Sequence, residues 1–264
     1  MLRFYIEVAR TAFRRQLIYR WANLAGLLTN IFFGAVFSYV IIALFHARAS
    51  AAGYNVHDAL RYVWLEQGLI MVILPFGWYD LMLTIRTGAV VSDLSKPCNF
   101  YWYWFSREMG RNLYYLLFRA IPIYLAGMLL FGIGVPTNGQ QWLTFALSLT
   151  LSAIVGIAYR YLFNLAAFWI VEARAVFVLG NTIALFLTGS YVPLPFFPPW
   201  LLALITWLPF NTFLNIPTQM LVGNVTVTTL LFDLLLQIAW VILLTSGMQA
   251  LTTIATRRVT VQGG

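Results

Sequence analysis

Charge is what this chain has least of. Of its 264 residues 9% are Asp, Glu, Lys or Arg, against about 25% in a soluble globular domain. With 61% hydrophobic residues and a mean hydropathy of +0.81, there is too little polar surface to coat a water-soluble fold. That excludes a soluble domain and predicts an integral membrane protein. Lys96 is the one lysine and Cys98 the one cysteine, so neither an internal disulfide nor a cysteine-based zinc site can form. No G-x-x-x-x-G-K-S/T loop cradles phosphates, so the chain has no P-loop ATP site of its own. H-E-x-x-H, G-x-S-x-G and paired acidic patterns are also missing, so no catalytic residues are expected. The two histidines, His46 and His57, are too few for a convincing metal site, and no metal is expected.

What is present is arginine and long apolar runs. The net charge is +8 with a pI near 9.8. In so apolar a chain this basicity reads as the positive-inside bias of membrane proteins, not as a nucleic-acid footprint. A helix needs roughly 20 apolar residues to cross a bilayer. Six runs qualify, near residues 21–45, 62–85, 113–135, 142 to before 172, 175–194 and 228–252, within one domain spanning 1–264. With the N-terminus inside, the inner segments carry twelve basic residues (Arg3, Arg10, Arg14, Arg15, Arg20, Arg86, Lys96, Arg107, Arg111, Arg174, Arg257, Arg258) and the outer ones two, Arg48 and Arg61. The expectation is a multi-pass cytoplasmic-membrane protein with both termini cytoplasmic. The first apolar run, of about 25 residues, is too long for a signal-peptide core of roughly 7–15, so it reads as a retained helix.

Residues 1–20 alternate apolar and basic positions. Phe4, Val8, Ala12 and Leu17 are expected on one face of an interfacial amphipathic helix. Residues 193–227 hold Pro193, Pro195, Pro198, Pro199, Pro209 and Pro217 and begin with a long uncharged stretch. Proline interrupts helices, so short re-entrant helices in the outer leaflet fit better than a span. Pro75 and Pro122 are expected to kink spans two and three.

Ionisable and polar groups inside spans are costly and face a bundle interior or a cavity. Glu66, Asp80, Arg119, Arg160, Asp233 and Gln237 are the candidates for a pathway or an internal polar contact. Asp80 and Arg119 fall at similar depth on consecutive spans, which predicts an ion pair. Arg160 reads either as part of a long span that leaves the membrane or as a residue facing an internal polar space. Asp233 and Gln237 are four apart, hence on one helix face, suited to a helix–helix hydrogen bond or to a pathway.

The stretch RTGAVVSDLSKP (86–97) follows span two. Gly88 permits a sharp turn, Ala89, Val90, Val91 and Leu94 suit a short helix of about two turns, and Pro97 ends it. Six consecutive aromatics, Phe100 to Phe105, follow and suggest a membrane–water shelf.

RTGAVVSDLSKPCNFYWYWFSREMGR, then AFWIVEARAV at 167–176, LTGSYVPLPFFPPWL at 187–201 and LPF at 208–210 together resemble the membrane subunits of ABC-2-type exporters, closest to the six-span, half-size permeases. The resemblance runs over most of the chain in the same order. It implies an all-α fold of six transmembrane helices with an N-terminal interfacial helix, a cytoplasmic coupling loop (86–112), and short outer helices between spans five and six. It also implies that Arg86, Gly88, Asp93, Lys96 and Pro97 lie in a coupling helix that docks on a separate cytosolic ATPase. The expected partners are two copies of that ATP-binding subunit, which would hold ATP and Mg, a second permease chain as homodimer or heterodimer, and membrane lipids. An alternative reading of the residues is an ion-gradient-driven transporter or channel using Glu66, Asp80 and Asp233.

Overall fold

The structure, a computed structural model, describes residues 1–47, 54–74, 79–170, 172–223 and 225–257. Arg48, Pro75, Asn224 and Arg258 lie outside them. Helices occur in the order α1 (Leu2–Ile18), α2 (Arg20–Ala47), α3 (Val56–Ile73), α4 (Asp80–Arg86), α5 (Val90–Leu94), α6 (Phe100–Tyr115), α7 (Ile121–Phe131), α8 (Gly139–Leu165), α9 (Ala173–Leu187), α10 (Pro199–Trp207), α11 (Pro209–Phe213), α12 (Asn215–Val222) and α13 (Val227–Thr256).

Among the described residues, four helical runs are long and apolar enough to cross a membrane: Arg20–His46, Phe100–Phe131, Gly139–Phe168 and Val227–Thr256. The second expected span is interrupted. α3 ends at Ile73, and Leu74 leaves helical geometry at φ −127, ψ 60, as the residue before a proline tends to do. α3 also carries Asp58, Arg61 and Glu66 within 18 residues. The fifth apolar helix is short, Ala173–Leu187.

α3 is the centre of the bundle; nearly all of its residues from Ala59 onward are buried. Small residues on its neighbours let it in. Trp64, fully buried, lies against Gly34 of α2 and Gly127 of α7, where a Cβ on Gly127 would sit 2.5 Å from the indole. Its indole N–H donates to Ser38 Oγ at 2.9 Å. Asn30 of α2 donates to the Gln67 carbonyl at 2.9 Å. Small residues and interhelical hydrogen bonds are the means by which helices associate where apolar burial gives little drive.

α6 and α7 form one continuous rod through a π-helical turn, Leu116–Ala120, immediately before Pro122. The proline lacks an N–H for the α-helical bond, and the wider turn absorbs that loss in place of a break. The aromatic run is more than a shelf. Phe100, Tyr101 and Trp104 are buried with Val90 of α5, Tyr161 of α8 and Ala255 of α13, while Trp102 is exposed. α1, α5 and the C-terminal end of α13 therefore share one end of the bundle.

α1 packs along α6. Phe4 stacks on Tyr103, Phe13 meets Tyr114 edge-on at 5.7 Å, and the Asn99 N–H donates to Tyr5 Oη at 3.2 Å. Val8 and Ala12 are partly buried, but Leu17 is exposed. Leu17 lies in the last turn of α1, past Phe13, the last α1 ring that meets α6.

The proline-rich segment breaks into short helices as expected. Pro199 and Pro209 each open one, α10 and α11. α12 is buried along nearly its whole length between α3 and α8. Tyr62 Oη donates to Asn215 Oδ1 at 2.7 Å, and Asn215 continues a polar ladder from Asn211 to Gln219.

Candidate functional site

Three features near the charged positions stand out: the loop between α4 and α6, a buried charge cluster on α6, and a polar groove beside α2.

The loop turns at Gly88, whose φ of +75 is a left-handed conformation that glycine adopts without strain. α5 follows, shorter than the expected two turns at five residues. Val90 is its anchor, 2% exposed in the aromatic cluster. Asp93 and Lys96 close on each other: Lys96 Nζ lies 2.5 Å from Asp93 Oδ1, 2.9 Å from Tyr103 Oη and 4.1 Å from the Tyr103 ring centre. Burial works to lower the Lys96 pKa, but these hydrogen bonds outweigh it and hold the ammonium above its ordinary value. Asp93 is 11% exposed at its side chain, so it fastens the loop and is not its outward charge. The exposed surface is Arg86, Thr87, Gly88, Ala89, Val91, Ser92, Ser95 and Pro97, with Arg86 reaching Glu172 at 3.8 Å.

The expected Asp80–Arg119 pair does not form. Asp80 stands at the start of α4 and pairs with Arg15 of α1 at 3.6 Å and Arg107 of α6 at 3.5 Å. Both arginines approach from the end of the bundle that α1 covers, and a ≈440 Å³ cavity between α1 and α6 opens beside them. At the next residue of α6, Glu108 bonds Arg111 on its own helix and Arg160 of α8, the latter at 3.2 Å. Arg160 is 1% exposed. Of the two sequence readings, the contact with Glu108 fits the internal polar one. Glu108 was not among the candidates. The i,i+3 spacing of Glu108 and Arg111 was the available signal, but the third partner is 52 residues away.

Arg119 lies in the π turn, 5% exposed. Its guanidinium packs into the notch at Gly26 of α2, where a Cβ would collide with Nη2. No carboxylate or hydrogen-bond acceptor among the described residues meets it; the Tyr115 ring lies 5.6 Å from Cζ. Arg119, Gly26, Thr29, Asn30 and Gln67 line a ≈450 Å³ cavity between α2 and α3. Phe37, Gln67, Ser190 and Tyr191 are shared with a smaller ≈190 Å³ cavity that reaches Glu66. The two make one groove with Arg119 near one end and Glu66, 3% exposed, near the other. Asn30 and Gln67 were missed because polar amides on an apolar helix give no periodic signal.

Gln237 is fully buried and makes a helix–helix contact. Its Nε2 donates to Ser152 Oγ at 2.9 Å, Thr212 O at 3.2 Å and Ser148 O at 3.3 Å. Asp233 shares its face and is 6% exposed. Gln237→Leu is expected to lower thermal stability by about 1 kcal/mol, the upper part of the range for interhelical hydrogen bonds in membranes, while transport by the surviving folded protein is unchanged. A loss of transport at full stability would assign Gln237 to a pathway instead.

Among the described residues no group of three His, Cys, Asp or Glu is placed to hold a metal ion. Neither a curated protein nor a solved structure matches the chain. A family model described as ABC-2 family transporter protein matches residues 31–263, from the middle of α2 to beyond α13. The all-helical bundle, its membrane-length apolar helices and that match together place the chain in the ABC-2 transporter family, as a multi-pass membrane permease component of a kind that works with a cytosolic ATP-binding subunit.

Proposed function

We propose that this chain is the non-catalytic membrane subunit of an ATP-driven exporter, carrying an amphiphilic cargo outward across the cytoplasmic membrane. In this reading it crosses six times, with α3 and α4 sharing the second crossing and α9 making the fifth. Both termini are cytoplasmic, α1 lies on the inner surface, and the 193–227 segment dips into the outer leaflet. Two copies of a separate ATPase hold ATP and Mg, and a second permease chain completes the pathway.

The observation that supports this most is the construction of the loop after α4. A left-handed glycine, a one-turn helix and a proline present a nearly uncharged, exposed rim. Val90 and the Asp93–Lys96–Tyr103 contact fix that rim rigidly to α6. A rigid projection is what a docking partner needs in order to push on a helix. Of the charges that the resemblance placed in docking, Asp93 and Lys96 are tied to each other and Arg86 reaches Glu172, so apolar and hydroxyl groups on the rim carry the contact.

Val91→Arg tests it. Val91 is 41% exposed, so the variant keeps its fold. The tagged chain is purified in gentle detergent with its neighbouring genes co-expressed. A P-loop ATPase is expected to co-elute with the wild type and to fall at least tenfold in the variant, since one buried unpaired charge costs several kcal/mol at an interface. If no ATPase accompanies either chain, the ion-gradient reading gains, with Glu66 and Asp233 its remaining carriers; Asp80 is already tied to two arginines.

A further inference from the structure

We infer that the groove between α2 and α3 is a binding site for an anionic amphiphile, a single phosphate or carboxylate head on an apolar tail, with Arg119 as the counter-charge. This deepens the exporter reading, on which the amphiphile is the cargo class, and the role as cargo rests on that reading.

Arg119 carries the inference. A guanidinium has five N–H donors and no acceptor, and its charge is lost under no ordinary condition. Buried without a carboxylate it is among the costliest side chains a membrane helix can hold. Every other buried arginine that the described residues show in an ion pair, Arg111 and Arg160, has Glu108. Arg119 has a tyrosine ring and a cavity. Gly26 gives it room, and Thr29, Asn30 and Gln67 put hydroxyl and amide groups on the walls of the same cavity. These are groups that bind a head carrying both charge and oxygen acceptors.

The rest of the groove selects against a free anion. Phe33, Phe37, Ile70 and Met71 line the cavity around the polar end. Its continuation is walled by Val40, Ile41, Leu44, Val63 and Phe196. Glu66 stands in that continuation, which has no cationic side chain in its lining, and that leaves the Arg119 end as the place for the head. Thr29 and Phe33 are exposed on α2, so the groove opens sideways, the direction from which a molecule already in a bilayer enters.

The test is native mass spectrometry of the full chain in a neutral detergent, titrated with three probes: dioleoyl phosphatidic acid, dioleoylglycerol with the same tails and no charge, and inorganic phosphate. Phosphatidic acid is expected to bind wild type at least tenfold more tightly than either part alone. Arg119→Met is expected to weaken it about tenfold or more, the value of hydrogen bonds to a charged group, and Arg119→Lys to restore part of that. Thr29→Phe, which fills the cavity from its exposed side and leaves Arg119 in place, is also expected to weaken it.

Four results would overturn the site: equal binding by wild type and Arg119→Met; equal binding of phosphatidic acid and dioleoylglycerol; inorganic phosphate binding as tightly as the lipid; or an equal loss in Arg14→Gln, an exposed arginine on α1 that reports surface attraction alone. Because an unpaired buried charge is removed, Arg119→Met is expected to be at least as stable as wild type without ligand. A clear loss of stability would mark Arg119 as a structural residue and also sink the site. Val91→Arg is expected to bind phosphatidic acid like wild type, so failure of ATPase docking and failure of this site read out separately.

Discussion

Glu108→Gln is expected to cut deeply into the stability of the folded chain. Arg111 and Arg160 share the Glu108 carboxylate, and both Glu108 and Arg160 are almost wholly out of solvent. The substitution keeps the shape and deletes the one negative charge that the two guanidiniums hold in common. Breaking a buried pair by removing one partner costs about 3–5 kcal/mol, a large part of a total stability of about 5–15 kcal/mol. The measurement is the monodisperse fraction on gel filtration and the thermal midpoint in detergent. Glu108→Gln with Arg160→Met supplies the discriminating arm. If an uncompensated charge is the cause, the double variant recovers part of the loss, because the orphaned cation leaves with its partner. A double variant as unstable as the sum of both singles would mean that packing volume, not charge, holds α6 to α8.

Gly110→Ala is expected to lift α1 off α6. The two backbones cross here, and a Cβ on Gly110 would collide with the carbonyl oxygen of Ala9. A backbone atom cannot rotate away as a side chain can, so α1 itself must move. The Phe13–Tyr114, Tyr5–Asn99 and Arg15–Asp80 contacts then weaken together. Helix propensity predicts the opposite sign, since alanine is favoured over glycine by about 0.8–1 kcal/mol. Gly247→Ala in α13 is the control: its Cβ would meet nothing within 4 Å, so propensity alone acts there. Trypsin cleavage at Arg14 and Arg15 reads the result. A rise of about tenfold in Gly110→Ala with no change in Gly247→Ala is expected. Unchanged cleavage in both would show that α1 is not held by that crossing. On the exporter reading, the released variant also loses the clamp that Arg15 places on Asp80 at the start of α4, just ahead of the docking loop.

Several of these features were legible residue by residue. Gly88 and Pro97 bracket a short helix because both restrict the backbone locally, and local backbone chemistry is written in neighbouring letters. The proline-rich stretch gives short helices for the same reason. Leu17 was misplaced because apolar identity was followed into the last turn of α1, past the ring that packs on α6. Asp80 and Arg119 were paired on depth alone. Depth says which residues are level, not which faces meet, and Arg15, from a helix outside the six expected spans, reached Asp80 first. Glu108 escaped notice because in the sequence it is one more charge beside a basic, aromatic segment; only its contact with α8 makes it buried.

What the sequence determined by itself is the class of protein and the helical character of its long apolar runs. Apolar runs with few charges must be helical in a bilayer, because each backbone polar group has to be satisfied within its own segment, and that requirement needs no knowledge of neighbours. The tertiary structure decided how each buried charge is satisfied. Glycine notches at Gly26, Gly34, Gly110 and Gly127 set how closely helices approach and which faces touch. From that follow the Glu108 cluster, the tied Asp93, and a buried arginine left facing a groove. Contacts between residues tens of positions apart depend on the rotation and approach of whole helices, and no local period in the chain records either.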